Sequence, residues 1–169
     1  MPSRSGIEKH YIGKSGQLAA MSEFLWRGWN VAIPEVDEGD DIFVVQHADG
    51  DLIRVQVKTA TARERGGTME GQFSVSKRQI TVPRIPELHF VFCFRLPSGG
   101  WRFAAAKQTK LKELLNSGNL GKENKKGQVV FRLRWGGEEM LISVSRGVTE
   151  YVTASFVDAW KLWENVRGG

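Results

Sequence analysis

The residues with the clearest chemistry lie between Asp37 and Lys58, where a group of carboxylates is followed by a lysine. Five acidic residues occur within positions 35–41. A hydrophobic run, the dipeptide Asp49-Gly50 and a second apolar run ending in Gln56-Val57-Lys58 follow. Carboxylate and amide oxygens bind hard divalent cations, and a cation beside a lysine suits phosphodiester hydrolysis. This stretch therefore predicts a metal site with a lysine next to it.

A β-hairpin would bring these groups together. An Asp-Gly dipeptide between two β-rich runs is a hairpin signal. Side chains alternate along a strand, so Arg54, Gln56 and Lys58 share one face. Antiparallel pairing would then place Asp41, which opens the partner strand, near Gln56 and Lys58. The spacing alone fits equally well a solvated acidic turn followed by a half-exposed strand.

An amphipathic helix precedes the acidic residues. Positions 13–28 show helical periodicity and end at Gly28, a typical C-cap residue. The predicted apolar stripe comprises Leu18, Met21, Phe24, Leu25 and Gly28. Gln17 falls within this stripe, and a buried polar side chain needs a partner. We therefore expect Gln17 to point toward the acidic hairpin, with a backbone hydrogen bond as the alternative to a role in the site.

These motifs, in this order, resemble the PD-(D/E)XK nuclease superfamily. Within it, the archaeal Holliday junction resolvases and the Mrr-like restriction nucleases are the most similar groups. The resemblance spans about residues 12–105 and includes Gly28-Trp29-Asn30-Val31 and Gly100-Trp101-Arg102-Phe103. It implies an α/β, restriction-endonuclease-like core, in which helices flank a mixed central β-sheet. It also implies a nuclease that depends on Mg²⁺ or Mn²⁺ and hydrolyses duplex or branched DNA.

The resemblance assigns roles to individual residues. Asp41 matches the metal-binding aspartate and Lys58 the catalytic lysine. Gln56 matches the acidic position of the motif, where Mrr-like members usually have glutamine. Gln17 matches the glutamate of the helix and would act through a bound water. The expected metal ligands are Asp41, Gln56 and the backbone carbonyl of Val57.

The chain departs from the resolvase pattern because two acidic positions are amides. Amide oxygens bind hard cations without a full charge. Three alternatives follow: the metal binds weakly with help from the substrate phosphate, a nearby acid compensates, or the site is degenerate. The acids considered are Asp37, Asp40 and Glu23, of which Glu23 lies on the wrong helix face.

The charge of the chain favours a polyanionic partner. The net charge is +5 despite the acidic residues at positions 35–41, so the remaining surface is strongly basic. Candidate nucleic-acid contacts are Arg63 and Arg65, in a loop predicted at 61–71, followed by Lys77 and Arg78. DNA is the expected partner and RNA a second one. The alternatives are a catalytically silent relative and a regulatory subunit that docks an acidic protein.

The remaining pattern predicts one domain over 1–169, with a core at about 12–105 and a C-terminal elaboration at about 106–169. That elaboration would contain a hairpin around Gly136-Gly137 and a helix at 155–166. Trp135 is expected to be exposed, and Cys93 to be a buried strand residue without a metal role. The N-terminus has no long apolar run, so we expect a cytoplasmic protein without a membrane span. The sequence leaves open whether it acts as a monomer or a homodimer.

Overall fold

The computed structural model describes residues 4–35, 39–45, 50, 52–136, 140–144 and 148–151. The helices are α1 (Arg4–Trp26), α2 (Lys77–Thr81) and α3 (Gln108–Asn116). The strands are β1 (Asn30–Ala32), β2 (Ile42–Val45), β3 (Leu52–Thr61), β4 (Arg63–Arg65), β5 (Thr68–Ser76), β6 (Leu88–Arg95), β7 (Trp101–Lys107), β8 (Lys122–Glu123), β9 (Gln128–Trp135), β10 (Met140–Val144) and β11 (Val148–Tyr151).

A mixed five-stranded sheet forms the centre of the fold. Its strand order is β1-β2-β3-β6-β7. Strands β3 and β6 run parallel, and the other neighbouring pairs run antiparallel. The predicted pairing of the strand after Asp41 with the strand ending at Lys58 is confirmed, with Ile42 opposite Val55. A mixed sheet flanked by helices confirms the restriction-endonuclease-like α/β class.

Helix α1 covers one face of this sheet. Ala20 and Phe24 are fully buried there and pack with Val55 and Val91 of the central strands. Gly16 allows this close approach, because a Cβ atom at its position would lie 2.0 Å from the Thr59 hydroxyl. The predicted apolar stripe is therefore partly wrong: small residues face the sheet, while Leu18 and Leu25 are about half exposed, at 52% each.

The two ends of α1 differ in how well the sequence predicts them. The C-terminal end is confirmed: Gly28 has a positive φ of 85°, and the Trp29 amide donates to the Phe24 carbonyl at 3.1 Å, as in a glycine-terminated helix. The N-terminal end differs, since the helix begins at Arg4 rather than Gly13. None of the helices among the described residues is long and apolar enough to cross a membrane.

A second sheet packs against the opposite face. Its order is β11-β10-β9-β5-β4, with β8 paired to β9. Phe73 of β5 contacts Phe92 and Phe94 of β6, with ring centroids 5.0 Å apart in each pair. The predicted hairpin is confirmed by the pairing of Trp135 with Met140. The helix predicted at 155–166 lies outside the described residues, and the single-domain organisation stays a prediction.

Two predictions for this region are wrong. Residues 61–71 do not form a loop: β4 and β5 pair across Gly66 and Gly67, both of which have positive φ, so the paired glycines make a tight turn. Trp135 is 6% exposed and packs edge-on against Phe94 at 4.6 Å. It is buried because it ends a strand of the second sheet, directly over the aromatic core.

Candidate active site

The site forms just before β2 begins, where one edge of β3 is left open. The Asp41 amide donates to the Val55 carbonyl at 2.9 Å, which continues the ladder by one bond. Val57 is the next residue of β3 whose amide points to this edge. Its N–H donates to Asp41 Oδ2 at 2.7 Å. The N–H and C=O of a strand residue point to the same side, so the Val57 carbonyl also faces the Asp41 carboxylate.

Gln56 supports Asp41 from the face that looks toward the second sheet. It is 4% exposed, and its Nε2 donates to Asp41 Oδ2 and, at 3.4 Å, to the Val57 carbonyl. Its Oε1 accepts a hydrogen bond from Gln79 Nε2. The buried amide of Gln56 therefore uses both of its ends within the protein.

The orientation of these two amides follows from a single backbone carbonyl. Gln79 Nε2 also donates to the Gly39 carbonyl at 3.3 Å, and a carbonyl oxygen can only accept. The nitrogen of Gln79 must therefore face Gly39 and Gln56 together. It follows that Gln56 presents its oxygen to Gln79 and its nitrogen to Asp41.

Gln17 reaches the site from α1, as predicted, but it contacts the backbone of Asp41. Its Nε2 donates to the Asp41 carbonyl at 2.6 Å. Its Oε1 accepts from Lys14 Nζ at 2.8 Å. Gln17 thus fixes the start of β2 and links it to a lysine one turn earlier on the helix.

All predicted catalytic and metal-binding residues line one cleft, which we call the Asp41 cleft. Its cavity volume is about 620 Å³, and its described lining residues are Lys9, His10, Gly13, Lys14, Gln17, Gly39, Asp41, Gln56, Val57, Lys58, Thr59 and Gln79. Lys58 is half-buried and follows Gln56 on the same face of β3. The structure therefore brings together Gln17, Asp41, Gln56, Val57 and Lys58, as the sequence predicts.

Sequence reasoning missed five polar residues of this cleft, which are Lys9, His10, Lys14, Thr59 and Gln79. Lys9 and His10 were missed because α1 was predicted to begin at Gly13, and Lys14 because it lies outside the predicted apolar stripe. Their spacing contains the signal: Lys9 lies eight residues before Gln17 and Lys14 three before it, so a longer helix places them on one side. Gln79 lies on α2, and nothing in its local sequence indicates contact with Gln56.

Two of the three other acids considered for the site have partners of their own. Asp40 is 4% exposed and forms a buried ion pair with Arg54, whose Nε is 3.2 Å from both carboxylate oxygens. Glu23 pairs with Arg27. Asp37 lies outside the described residues. Among the described lining residues, Asp41 is the only carboxylate.

A hard cation fits part of this donor set. The Asp41 carboxylate and the Val57 carbonyl are oxygen donors on the same open edge, as Mg²⁺ requires. The two amides do not fit as they stand, because Gln56 points its nitrogen at Asp41 and Lys14 holds the oxygen of Gln17. No group of three histidine, cysteine, aspartate or glutamate residues that could hold a metal occurs in the part of the chain that the structure describes.

Cys93 lies beneath the cleft and is confirmed as a buried strand residue. Its Sγ is 3.5 Å from the Gly16 carbonyl. Burial raises the pKa of this thiol well above its ordinary value, and the negative charge of Asp41 raises it further. Cys93 is therefore a neutral thiol, which agrees with the absence of a metal role.

None of the four residues predicted to contact nucleic acid is among the described lining residues of the Asp41 cleft. Arg63 is exposed on β4, and Arg65 lies 3.7 Å from Glu70. Lys77 pairs with Glu123 at 2.7 Å. Arg78 lines a second cavity of about 680 Å³, together with Arg84 and Gln79. Gln79 thus separates the two cavities, and two of the four cations already have acidic partners.

Comparison with known proteins gives one family match and one similar solved structure. No curated protein matches the chain. A solved bacterial homing endonuclease, I-Ssp6803I, is similar, with 18% identity over 60% of this chain and 70% of that one and a TM-score of 0.39. Residues 7–84 match the family described as PD-(D/E)XK endonuclease, and this range contains Gln17, Asp41, Gln56 and Lys58. Residues 7–84 are therefore similar to the PD-(D/E)XK endonucleases, and these residues include every predicted catalytic side chain.

Proposed function

We propose that this protein is a metal-dependent nuclease that hydrolyses phosphodiester bonds of DNA at the Asp41 cleft. The observation that supports this best is the contact of Asp41 Oδ2 with the Val57 amide at 2.7 Å. It fixes a carboxylate and a backbone carbonyl on the open edge of β3. Lys58 is the next residue along that strand, so the lysine would lie next to the proposed metal ligands.

Each residue has a distinct part in the proposed reaction. Asp41 and the Val57 carbonyl would hold Mg²⁺ or Mn²⁺, and Gln56 would join them after its amide turns over. A bound cation polarises the scissile phosphate and lowers the pKa of an attacking water. The Lys58 ammonium would orient that water and stabilise the negative charge that develops on the phosphate. Gln17 keeps the start of β2, and hence Asp41, in place.

A catalytically silent, nucleic-acid-binding protein is the second candidate. The orientation of the Gln56 amide favours it, because a nitrogen directed at Asp41 satisfies that carboxylate without a cation. In this alternative the cleft would bind phosphates without cleaving them. Cleavage assays on DNA and RNA, with and without Mn²⁺, separate the two candidates.

The decisive variant is Lys58→Ala. Truncation of a half-buried side chain at the cleft should leave the fold unchanged, so we expect an unaltered circular dichroism spectrum and no cleavage. Lys112→Ala, on the exposed surface of α3, is the matched control and should cleave as the wild type does. Full activity of Lys58→Ala would exclude the proposed role of this lysine.

Two further properties stay predictions. A homodimer agrees with the large exposed apolar side chains of α1, which are Tyr11, Leu18, Leu25 and Trp26. Sedimentation of the full chain measures the oligomeric state directly. A cytoplasmic location is also untested, and fluorescence microscopy of a tagged chain in its host cell measures it.

A further inference from the structure

The N-terminal half of α1 forms one wall of the Asp41 cleft, and the predicted reaction does not use this wall. Lys9, His10 and Lys14 line the cavity that also contains Asp41 and Lys58. All three side chains are exposed, so a ligand in the cleft can reach them. Two of the three are lysines, whose ammonium groups pair with phosphates, and this points to substrate binding.

The charge of the cleft is strongly unbalanced. Among its described lining residues, three lysines face a single carboxylate, that of Asp41. Neither Lys9 nor Lys14 forms an ion pair with an acid in the described part of the chain. Lys14 contacts the neutral Gln17 oxygen at 2.8 Å, which holds its ammonium at the cleft without neutralising it. A concave site with excess positive charge attracts phosphates.

The spacing of the two lysines suits phosphates about two nucleotides apart on one strand. Lys9 and Lys14 are five residues apart, or roughly 7.5 Å along the helix axis. Successive phosphates of a duplex strand advance by about 3.4 Å along the axis. The wall therefore extends over about two nucleotide steps from the reacting end of the cleft.

Gly13 leaves room for this strand. It lines the cleft, and a Cβ atom built on it would meet no atom within 4 Å. The helix thus presents a gap between its two lysines, directed into the cavity. A side chain at this position would project into the space that the strand needs.

We infer that Lys9 and Lys14 bind backbone phosphates of the nucleic-acid strand that enters the Asp41 cleft, next to the phosphate that is cleaved. The inference rests on the proposed function for the position of the scissile phosphate. In this arrangement the main phosphate contacts lie on the N-terminal half of α1 and not at Arg65 and Lys77, which have acidic partners. The ligand is a phosphodiester backbone, read without regard to base sequence.

Binding measured without cleavage tests this inference. Fluorescence anisotropy of a labelled DNA duplex, with the full chain in EDTA over a series of salt concentrations, gives affinity and salt slope together. The double variant Lys9→Gln/Lys14→Gln should bind more weakly and lower the slope by at least about 0.9. The control Lys125→Gln/Lys126→Gln makes the same charge change in an exposed turn of the second sheet and should keep the wild-type slope. The inference would be overturned if both double variants lost affinity and salt slope equally, or if Lys9→Gln/Lys14→Gln lost neither.

Gly13 provides a second test that does not remove a lysine. Gly13→Glu and Gly13→Gln have nearly the same size and differ in charge. The carboxylate variant should bind the duplex more weakly than the amide variant, and the difference should shrink as salt rises. Equal affinities of these two variants would overturn the inference.

The binding experiment can be interpreted separately from the cleavage experiment. Loss of binding in Lys9→Gln/Lys14→Gln, together with a wild type that never cleaves, would support the phosphate site and reject the nuclease. Normal binding in that variant, together with cleavage that needs Lys58, would reject the phosphate site and leave the nuclease standing.

Discussion

Gln56→Glu is the substitution that tests the site most directly. It introduces, at nearly constant volume, the acidic residue that the resolvase pattern has at this position. In the structure Gln56 Nε2 donates to Asp41 Oδ2, and the new carboxylate would face that oxygen instead. We therefore expect the metal-free protein to lose stability and the metal-bound protein to regain it.

The size of the loss follows from the bond that disappears. A hydrogen bond to a charged group contributes about 1.5–3 kcal/mol net. For a chain of this length, 1 kcal/mol shifts the melting temperature by roughly 2–4 °C. The metal-free variant should therefore melt roughly 3–12 °C below the wild type. The two adjacent carboxylates would share a proton, so the deficit should grow as the pH rises.

The size of the recovery follows from linkage. A ligand that binds the folded state at 100 times its Kd contributes about 2.7 kcal/mol. Saturating Mn²⁺ should therefore recover most of the loss, and calorimetry should show tighter Mn²⁺ binding than in the wild type. Melting curves in EDTA and in excess Mn²⁺ on the same preparation measure both effects.

Gln17→Glu is the matched control for this experiment. It adds the same charge to the same cleft, but the new carboxylate would lie beside Lys14, which is 2.8 Å from the Gln17 oxygen. We expect a smaller metal-free loss and a smaller gain in Mn²⁺ affinity than for Gln56→Glu. A Gln56→Glu variant whose lower melting temperature Mn²⁺ does not raise would show that position 56 is outside the metal site. An unchanged melting temperature in EDTA would contradict the Gln56–Asp41 contact itself.

Two further substitutions test neighbouring parts of the site and fold. Asp41→Asn should abolish Mn²⁺ binding in calorimetry, because Asp41 is the only carboxylate among the described lining residues of the cleft. If the wild type and Asp41→Asn bind Mn²⁺ with equal affinity, the metal site does not include Asp41. Burial lowers the pKa of the His89 imidazole in the folded state, so the unfolded chain binds a proton at a higher pH than the folded chain does. Protonation of His89 should therefore lower the melting temperature as the pH drops from 7 toward 5. His89→Gln should flatten that pH dependence, and an unchanged slope would assign it to other groups.

Much of the site was predictable because it depends on local pattern. Alternation along β3 fixes which residues share a face, and a hairpin that pairs Ile42 with Val55 necessarily brings Asp41 to Gln56. The end of α1 was predictable because Gly28 adopts a conformation that glycine favours. These features need no knowledge of distant residues.

The errors arise where tertiary contacts override composition. Leu18 and Leu25 looked like core residues, yet the sheet meets α1 at Gly16, Ala20 and Phe24, and the absence of a side chain at Gly16 permits the closest approach. Residues 8–11 of α1 are all exposed, so this part of the helix shows no periodicity that would mark it in the sequence. The strand β4 is exposed at all three residues, so its sequence resembles that of a loop.

The least predictable feature is the direction of the amides, and it also explains why an amide occupies position 56. Gly39 orients Gln79, Gln79 orients Gln56, and Gln56 donates to Asp41. A glutamate there would place a buried carboxylate against the half-buried carboxylate of Asp41 whenever a cation is absent, which is costly. Glutamine instead donates a hydrogen bond to Asp41 in the metal-free protein. If the proposed cation binds, glutamine offers it no charge, and the Gln56 amide would have to turn over before its oxygen could reach the cation. Glutamine at position 56 thus favours stability of the metal-free fold over affinity for the proposed metal.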